Sequence, residues 1–190
     1  MEKKIFCKHC NEDVLTYSVI RDGKEEICCL YCGLPLQKEE KSKTSQNANF
    51  VSDTILHADD SAFMRELVKD IVEKNSLCLN FLPFDNGERL IVEYLKSLLN
   101  GKRFNLIILD IRMPFLSGIS TAIAIRAIEE AMEKPKTPIL FFSVKQADDE
   151  LKKFIEHTSP AFYLNKGATE NIEDLEKRLV YALGTIVKKS

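Results

Sequence analysis

Short apolar runs alternate with amphipathic helical patterns five times between residue 54 and the end of the chain. Two of the runs, 106–109 and 139–142, contain only leucine, isoleucine and phenylalanine. Continuous apolar runs of this kind are typical of parallel strands that helices cover on both faces. The alternation therefore predicts an α/β fold with a five-stranded parallel sheet. The predicted strands are 54–58, 77–84, 104–109, 138–143 and 161–164, and the predicted helices are 63–74, 88–99, 119–132, 148–157 and 172–187.

Five of the six cysteines lie within the first 32 residues, in a pattern typical of a metal site. Cys7 and Cys10 form one C-x2-C pair, and Cys29 and Cys32 form a second pair after 18 intervening residues. Two such pairs match a four-thiolate zinc site, which would also stabilise a segment of about 35 residues that is too small to bury a sufficient core. We therefore predict Zn²⁺ at these four cysteines. Two alternatives stay open. Cys28 could replace Cys29 as a ligand, which would change the second spacing to C-x3-C, and iron could occupy the same four sulfurs in place of zinc.

The residues between the cysteine pairs predict a β-hairpin. Residues 14–20 are rich in β-branched and aromatic side chains, Asp22-Gly23 is a tight-turn dipeptide, and residues 24–28 can return antiparallel. The segments 7–10 and 29–33 resemble the two knuckles of zinc-ribbon domains. The resemblance is confined to this N-terminal segment and implies a small zinc-ribbon β-hairpin module.

The chain is expected to have three parts. Residues 1–36 form the zinc-ribbon-like module, the polar stretch 37–53 has no apolar period and predicts a flexible linker, and residues 54–190 are of ordinary single-domain size.

His9 lies inside the first knuckle, where four thiolates already complete a tetrahedral site. We therefore expect the imidazole of His9 to face solvent.

The charge balance excludes a general attraction to polyanions. Lysine plus arginine number 27 against 29 aspartate plus glutamate, and the net charge of −2 favours neither nucleic acid nor anionic lipid. Residues 1–36 carry five basic and six acidic side chains, and four thiolates with Zn²⁺ would add about −2, which disfavours DNA binding by the module. No apolar run reaches the roughly 18 residues of a membrane span, and the charged opening is unlike a signal peptide. We expect a cytoplasmic protein with no membrane partner.

Polar side chains follow the predicted strands at their carboxyl ends. The first strand is followed by Asp59-Asp60 and the third by Asp110, the fourth ends in Ser143, and Lys166 follows the fifth. Because the carboxyl ends of parallel strands meet at one edge of the sheet, we expect these side chains to converge. Three carboxylates would repel by about 4 kcal/mol per pair at about 4 Å and a dielectric constant of about 20, so they need a cation between them. Because carboxylates are hard oxygen donors, they favour Mg²⁺. Neither common Gly-rich phosphate loop is present, which disfavours nucleotide binding.

Four short segments resemble the motifs of response-regulator receiver domains. They are 55–61 with the acid pair, 109–114 with the D-x-x-M-P pattern and Gly118 beyond it, 142–143 with the hydroxyl, and 163–166 with the lysine. Each motif lies at the end of its proper strand, and the resemblance covers the whole of the predicted α/β domain. It implies a flavodoxin-like sheet with strand order 2-1-3-4-5 and a two-component response regulator.

The resemblance also implies a role for each site residue. Asp110 would accept a phosphoryl group from a sensor histidine kinase, a phosphotransfer protein or a small phosphodonor. Mg²⁺ would be held by Asp59, Asp60, Asp110 and the backbone carbonyl of Arg112. Lys166 would contact a phosphoryl oxygen. Self-phosphorylation and self-dephosphorylation are the only reactions expected, so the protein would not be an enzyme with a separate substrate.

Ser143 and Tyr163 would couple phosphorylation to a conformational change. By the same resemblance, Ser143 turns inward to hydrogen-bond the phosphoryl group and frees space for Tyr163, the aromatic switch of the family. This movement would bias a two-state equilibrium of the face made by the fourth helix, fifth strand and fifth helix of the α/β domain. That face is expected to serve an unidentified output protein or a homodimer.

Three positions depart from the commonest receiver pattern. Val144 follows the hydroxyl where a small residue is usual, Gly167 follows Lys166 where proline is frequent, and Arg112 stands two residues after the acceptor. Val144 could restrict access to Asp110, and Arg112 could hinder or steer the hydrolytic water. The lifetime of the phosphoryl group therefore stays open.

Three other functions share some of these features. A hydrolase of the haloacid dehalogenase type also places a nucleophilic aspartate after a parallel strand, but it needs a second aspartate two residues later, where this chain has Arg112. A phosphorylation-independent adaptor, or pseudo-receiver, would act through the zinc ribbon. A DNA-binding regulator would use the ribbon as its output, although the charge of the module disfavours this role.

Overall fold

The computed structural model describes residues 4–10, 12–21, 24–36, 52–144, 148–167 and 171–189. These residues form two small antiparallel strand pairs near the N-terminus and one larger parallel sheet with helices. Residues 37–51 of the predicted linker and the predicted turn at residues 22 and 23 lie outside the described residues.

The N-terminal residues form two strand pairs, and we refer to residues 4–36 as the N-terminal module. Strand β1 (Ile5–Cys7) pairs with β2 (Glu12–Val14), and β3 (Thr16–Arg21) pairs with β4 (Lys24–Cys29), both antiparallel. The predicted hairpin is present as β3 and β4. The β1–β2 pair is not predicted by the sequence, because strands of three residues are too short for an alternating pattern to be recognised.

From residue 52 onward, the described residues form five strands that alternate with five helices. The strands are β5 (Ser52–Ala58), β6 (Cys78–Phe84), β7 (Leu106–Leu109), β8 (Ile139–Ser143) and β9 (Ala161–Asn165), and the helices are α1 (Ala62–Lys74), α2 (Gly87–Leu99), α3 (Gly118–Ala131), α4 (Asp149–His157) and α5 (Ile172–Lys189). The strands are parallel and lie in the order β6-β5-β7-β8-β9. This is the flavodoxin-like order 2-1-3-4-5, so the predicted α/β fold is confirmed.

The sheet buries apolar side chains on both faces. Leu56 and Ile107 pack on one face with residues of α2, α3 and α4, whereas Ile55 and Ile108 pack on the other face with residues of α1 and α5. All four residues of β7 are fully buried, as expected for a central parallel strand. In the part of the chain that the structure describes, none of the helices combines the length and the hydropathy needed to cross a membrane.

Four of the helices begin at a side chain that caps the first turn. In each case the cap oxygen accepts a hydrogen bond from the backbone N–H three residues later, which satisfies one of the unpaired donors at the start of a helix. Local sequence therefore starts each helix soon after a strand has ended. The caps are Ser61 of α1, Asn86 of α2, Ser117 of α3 and Asp148 of α4.

The N-terminal module packs against the α/β domain on the side of β9, α4 and α5. Tyr17 and Val19 of β3 belong to the hydrophobic cluster that contains Leu151 and Ile155 of α4. Leu34 belongs to the second cluster, together with residues of α5. The two parts of the chain therefore share both hydrophobic cores.

His9 corrects one expectation from the sequence. Its imidazole does not face solvent but is half-buried against Tyr181 of α5, with the ring centroids 4.6 Å apart. This burial lowers the pKa of His9. The prediction considered only the knuckle around His9, whereas the residue that covers it comes from the last helix of the chain.

Candidate functional site

Three charged side chains from three strand ends meet at the carboxyl edge of the sheet. The Nζ atom of Lys166 donates hydrogen bonds to Oδ2 of Asp59, at 2.5 Å, and to Oδ1 of Asp110, at 2.7 Å. Asp59 follows β5, Asp110 follows β7 and Lys166 follows β9. Parallel pairing brings these ends to the same edge, so three of the side chains that the sequence leads us to expect together are in direct contact.

Asp59 is the more enclosed of these two carboxylates, with 1% of its surface exposed. Burial raises the pKa of Asp59 above its usual range, while the ammonium of Lys166 acts in the opposite direction. The backbone N–H of Ser61 donates to Oδ1 of Asp59 at 2.9 Å, and the guanidinium of Arg65 donates to its backbone oxygen at 2.7 Å. Arg65 is a contact that sequence reasoning missed, because nothing in the acid-pair motif points one turn into α1.

The turn after β7 holds the carboxylate of Asp110 in a defined position. The backbone N–H of Arg112 donates to Oδ2 of Asp110 at 2.7 Å, while Oδ1 faces Lys166. Gly118 closes the turn, since its N–H donates to the carbonyl oxygen of Ile111 at 3.0 Å. A Cβ at Gly118 would collide with the carbonyl oxygen of Asp110, so only glycine fits this close approach.

An open cleft gives solvent access to the acid site. Asp60 is exposed and lies at this cleft, as does Val144, which is 59% exposed. All four residues predicted to hold Mg²⁺ border the same space. The lining residues are Asp59, Asp60, Ser61, Met64, Asp110, Arg112, Val144, Lys166 and Leu175.

Ser143 and Tyr163 are buried close to the cleft but are not among its lining residues. Ser143 ends β8, and its carbonyl oxygen accepts a 2.9 Å hydrogen bond from the backbone N–H of Lys166. Tyr163 lies in β9, and burial raises the pKa of its hydroxyl well above the usual range. The two predicted switch residues therefore lie on neighbouring strands. Strand β9 continues directly into Lys166, and the end of β8 is hydrogen-bonded to the backbone of Lys166.

Asn165 connects several parts of this region, although sequence reasoning missed it. Its Nδ2 atom donates to the hydroxyl oxygen of Tyr163 at 2.7 Å, and its Oδ1 atom accepts from the backbone N–H of Gly167 at 2.7 Å. Its backbone N–H donates to the carbonyl oxygen of Cys32 at 3.1 Å, and its own carbonyl oxygen accepts from the guanidinium of Arg178 at 3.1 Å. The only signal in the sequence was its position directly before the motif lysine.

The cysteines form a second candidate site in the N-terminal module. The sulfur atoms of Cys7, Cys10, Cys29 and Cys32 all lie within 4.8 Å of one another, and the Cys7–Cys32 and Cys10–Cys29 pairs are 3.8 Å apart. The backbone N–H of Cys32 donates to the sulfur of Cys29 at 3.3 Å. Hydrogen bonds from the neighbouring thiols lower the pKa of Cys7, which favours its thiolate form.

Cys28 lies on the opposite side of β4 from this cluster. It is buried in the hydrophobic cluster that contains Tyr17 and Val19, whereas Cys29 belongs to the other cluster. Successive residues of a strand point to opposite faces, so only one of the two can face Cys7 and Cys10. In this structure that residue is Cys29.

The family comparison covers most of the α/β domain. The response regulator receiver domain family matches residues 55–178. A protein-glutamate methylesterase/protein-glutamine glutaminase of Pseudoalteromonas translucida (strain TAC 125) is 38% identical over 89 residues, which are 47% of this chain and 20% of that protein. The hybrid signal transduction histidine kinase I of Dictyostelium discoideum is 27% identical over 109 residues, which are 57% of this chain and 6% of that protein. The chain thus spans a fifth or less of the length of these relatives.

Solved structures share the fold of the same region. The receiver domain of the histidine kinase CKI1 from Arabidopsis thaliana, complexed with Mg²⁺ and BeF₃⁻, has 20% identity and a TM-score of 0.53, over 67% of this chain and 90% of that one. The response regulator domain of Thermotoga maritima CheB has 21% identity and a TM-score of 0.52, over 72% of this chain and 96% of that one. Because the family match extends over well more than half of its residues, the chain belongs to the response regulator receiver domain family.

Proposed function

We propose that this protein is a two-component response regulator that accepts a phosphoryl group on Asp110. The donor would be a histidine kinase, a phosphotransfer protein or a small phosphodonor. The observation that carries the proposal is the pair of hydrogen bonds from Lys166 to Asp59 and Asp110 at the open cleft. The change of state would control a protein partner, and the only covalent chemistry would occur on the protein's own aspartate.

In the reaction, the phosphoryl group moves from a nitrogen or oxygen atom of the donor to a carboxylate oxygen of Asp110. The Oδ atom of Asp110 would attack phosphorus, so that an O–P bond forms and the P–N bond of a phosphohistidine, or the P–O bond of acetyl phosphate, breaks with its electron pair leaving on the donor. An ionised carboxylate needs no general base for this attack. The N–H of Arg112 and the ammonium of Lys166 position the two carboxylate oxygens in the resting site. Catalysis is then mainly positioning and charge neutralisation.

The donor set at the cleft suits Mg²⁺. Among the described lining residues, the carboxylates of Asp59, Asp60 and Asp110 outnumber the cationic groups of Lys166 and Arg112. Hard oxygen donors with an excess of negative charge favour this ion. These three carboxylates and the backbone carbonyl of Arg112 would hold it. Bound Mg²⁺ would neutralise the charge of the acid site and of an incoming phosphoryl group.

We also propose that the cysteine cluster holds a structural zinc ion. Four sulfurs at about 2.3 Å from one ion and at tetrahedral angles would be about 3.8 Å apart. The Cys7–Cys32 and Cys10–Cys29 sulfur distances of 3.8 Å fit this arrangement. A closed site of four thiolates leaves no position for a substrate, so zinc would stabilise the N-terminal module rather than take part in a reaction. Metal analysis would distinguish zinc from iron.

Incubation with radiolabelled acetyl phosphate tests the proposed function directly. We expect Mg²⁺-dependent labelling of the full chain and no labelling of Asp110→Asn. Beryllofluoride, a phosphoryl mimic, should bind only when Mg²⁺ is present and Asp110 is intact. A chain that neither takes up label nor binds beryllofluoride would instead be the phosphorylation-independent adaptor.

A further inference from the structure

The N-terminal module occupies the surface formed by α4, β9 and α5, which we call the α4–β9–α5 face. Strand β9 is at the edge of the five-stranded sheet, and the backbone of an edge strand is available to further partners. Here the backbone N–H of Asn165 donates a 3.1 Å hydrogen bond to the carbonyl oxygen of Cys32. The second cysteine pair is therefore joined directly to the end of β9.

Close packing at Gly33 seats the module on Tyr163. Gly33 has a φ of 81°, which is in the left-handed region. A Cβ at this position would collide with both the ring and the carbonyl oxygen of Tyr163. Leu34 and Pro35 continue the contact, because they border a small cavity that Tyr181 of α5 also lines.

Aromatic contacts hold the two flanks of the module. The ammonium of Lys152 in α4 lies 5.4 Å from the centroid of the Tyr17 ring, within the range of a cation–π interaction. The ring of His9 packs on Tyr181 of α5 at 4.6 Å. The module thus contacts all three elements of the face: α4 through Tyr17, β9 through Gly33 and α5 through His9.

The segment of β9 that holds the module also reaches the acid site. Asn165 binds Cys32 through its backbone, and the next residue, Lys166, binds Asp59 and Asp110 through its side chain. Asn165 also donates to the hydroxyl of Tyr163, against which Gly33 packs. Neighbouring residues of one segment therefore connect the cysteine cluster to the predicted phosphoacceptor.

We infer that the N-terminal module is the intramolecular partner of the α4–β9–α5 face and that phosphorylation of Asp110 weakens its attachment. The inference rests on the proposed function. A phosphoryl group adds negative charge and strong acceptor oxygens, which would draw the ammonium of Lys166 out of its present position between two carboxylates. The movement would displace residues 163–166 and thereby weaken the Asn165–Cys32 hydrogen bond. Because coupling between two sites is reciprocal, a loosened module would favour the phosphorylated state.

The same arrangement affects the homodimer that the sequence leads us to expect. In this structure the face that would pair two copies is covered by the module. A dimer through the α4–β9–α5 face would therefore require the module to move aside first. Under this inference, phosphorylation uncovers the face, and any second copy or output protein binds afterwards.

Hydrogen–deuterium exchange of the full, zinc-loaded chain tests the coupling. On addition of beryllofluoride with Mg²⁺, we expect amides in residues 24–36 to exchange about fivefold faster or more, the lower end of typical allosteric coupling. Asp110→Asn should show no change. Fluorine NMR on the same samples reports independently whether beryllofluoride binds at all.

The reciprocal experiment loosens the module and measures the affinity of the chain for beryllofluoride in the presence of Mg²⁺. Gly33→Ala introduces the collision with Tyr163, and Gly101→Ala is its matched control, because Gly101 has a φ of 73° with no neighbouring atom within 4 Å of a Cβ. Tyr181→Ala removes the ring beneath His9 without touching a cysteine. Gly33→Ala and Tyr181→Ala should bind beryllofluoride about fivefold more tightly than the wild type, and Gly101→Ala should bind it with the wild-type affinity. Zinc content shows that the module is still folded in each variant.

The outcomes separate the coupling from the proposed function. Unchanged or slower exchange in residues 24–36, in a sample where beryllofluoride binds, would overturn the coupling and leave the phosphoacceptor function intact. Wild-type affinity for beryllofluoride in both Gly33→Ala and Tyr181→Ala would overturn it as well. Absence of both beryllofluoride binding and labelling would remove the proposed function and the coupling together.

Discussion

The side-chain ammonium of Lys166 lies 2.7 Å from Oδ1 of Asp110, although 56 positions separate the two residues along the chain. The same ammonium contacts Asp59, so one cation holds two carboxylates that would otherwise repel each other. Lys166 also follows directly after Asn165, the residue that binds the N-terminal module. The lysine therefore lies between the proposed phosphoacceptor and the residue that binds the module.

Replacing Lys166 with methionine removes the ammonium and keeps a long side chain. We expect the rate of labelling by acetyl phosphate to fall by about a hundredfold, because loss of one charged donor at a reacting oxygen typically has an effect of this size. Lys177→Met is the matched control, since Lys177 is an exposed lysine of α5 that pairs with Asp174. Full activity of Lys166→Met, or equal loss in both variants, would contradict the assigned role.

His57 should make the protein less stable in acid. Burial lowers the pKa of His57 to about 3, with further contributions from Lys166 and Arg65, and neither ring nitrogen has a hydrogen-bond partner among the described residues. A histidine in the unfolded chain has a pKa of about 6.5. Between these two values the unfolded chain binds more protons, so the free energy of unfolding decreases as the pH falls below about 6.5, by up to about 1.4 kcal/mol per pH unit.

Urea denaturation at a series of pH values checks the effect of His57. We expect His57→Leu to flatten the pH dependence of the unfolding free energy and to have little effect at neutral pH, where the imidazole is uncharged in both states. His157→Gln is the control, because His157 is exposed at the end of α4. If His57→Leu and the wild type lost stability equally in acid, another group would have to be responsible.

Two neighbouring cysteines should differ in their effect on metal content. Cys29→Ser removes one of the four clustered sulfurs, so we expect loss of bound zinc and of the thermal stability of the N-terminal module. Cys28→Ala truncates a buried side chain on the other side of β4 and should retain a full complement of metal. Elemental analysis of both purified variants decides the matter, and loss of zinc from Cys28→Ala alone would reverse the ligand assignment.

Substitution of Gly118 tests the geometry of the turn that holds Asp110. We expect Gly118→Ala to lower the free energy of unfolding by about 1–3 kcal/mol, because its Cβ collides with the carbonyl oxygen of Asp110. Gly184→Ala in α5 meets no atom within 4 Å and should raise the stability by about 0.5–1 kcal/mol through helix propensity. Calorimetric unfolding of the two variants should therefore give shifts of opposite sign.

Val144 should limit access to the acid site. It lines the cleft and takes the place of the small residue that is usual after the hydroxyl of receiver domains. We expect Val144→Ala to accelerate both labelling by acetyl phosphate and loss of the label by a few-fold. Val92→Ala is the matched control, because Val92 is similarly exposed but lies on α2. Identical kinetics of Val144→Ala and the wild type would mean that this side chain does not restrict the cleft.

Local sequence was sufficient to predict most of the α/β domain. The apolar runs 106–109 and 139–142 have the length of buried strands and are too short for buried helices. Cap residues such as Ser61 and Asp148 start the following helices. Once the strands are parallel, the polar residues that end them must meet at one edge. The convergence of Asp59, Asp110 and Lys166 could therefore be anticipated from positions along the chain.

The sequence by itself determined the succession of strands and helices along the chain, the acid–lysine edge and the four-cysteine pattern. The strands and helices follow from local apolar patterns, the edge from the position of each polar residue at the end of a parallel strand, and the cysteine pattern from two short spacings. Only the tertiary structure decided that the N-terminal module rests on β9, that Gly33 packs on Tyr163 and that Asn165 binds Cys32. It likewise selected Cys29 over Cys28, since the register of β4 against β3 sets which side of the strand faces the other cysteines. Such contacts join residues far apart in the chain by shape and by single hydrogen bonds, and neither leaves a periodic signal in the sequence.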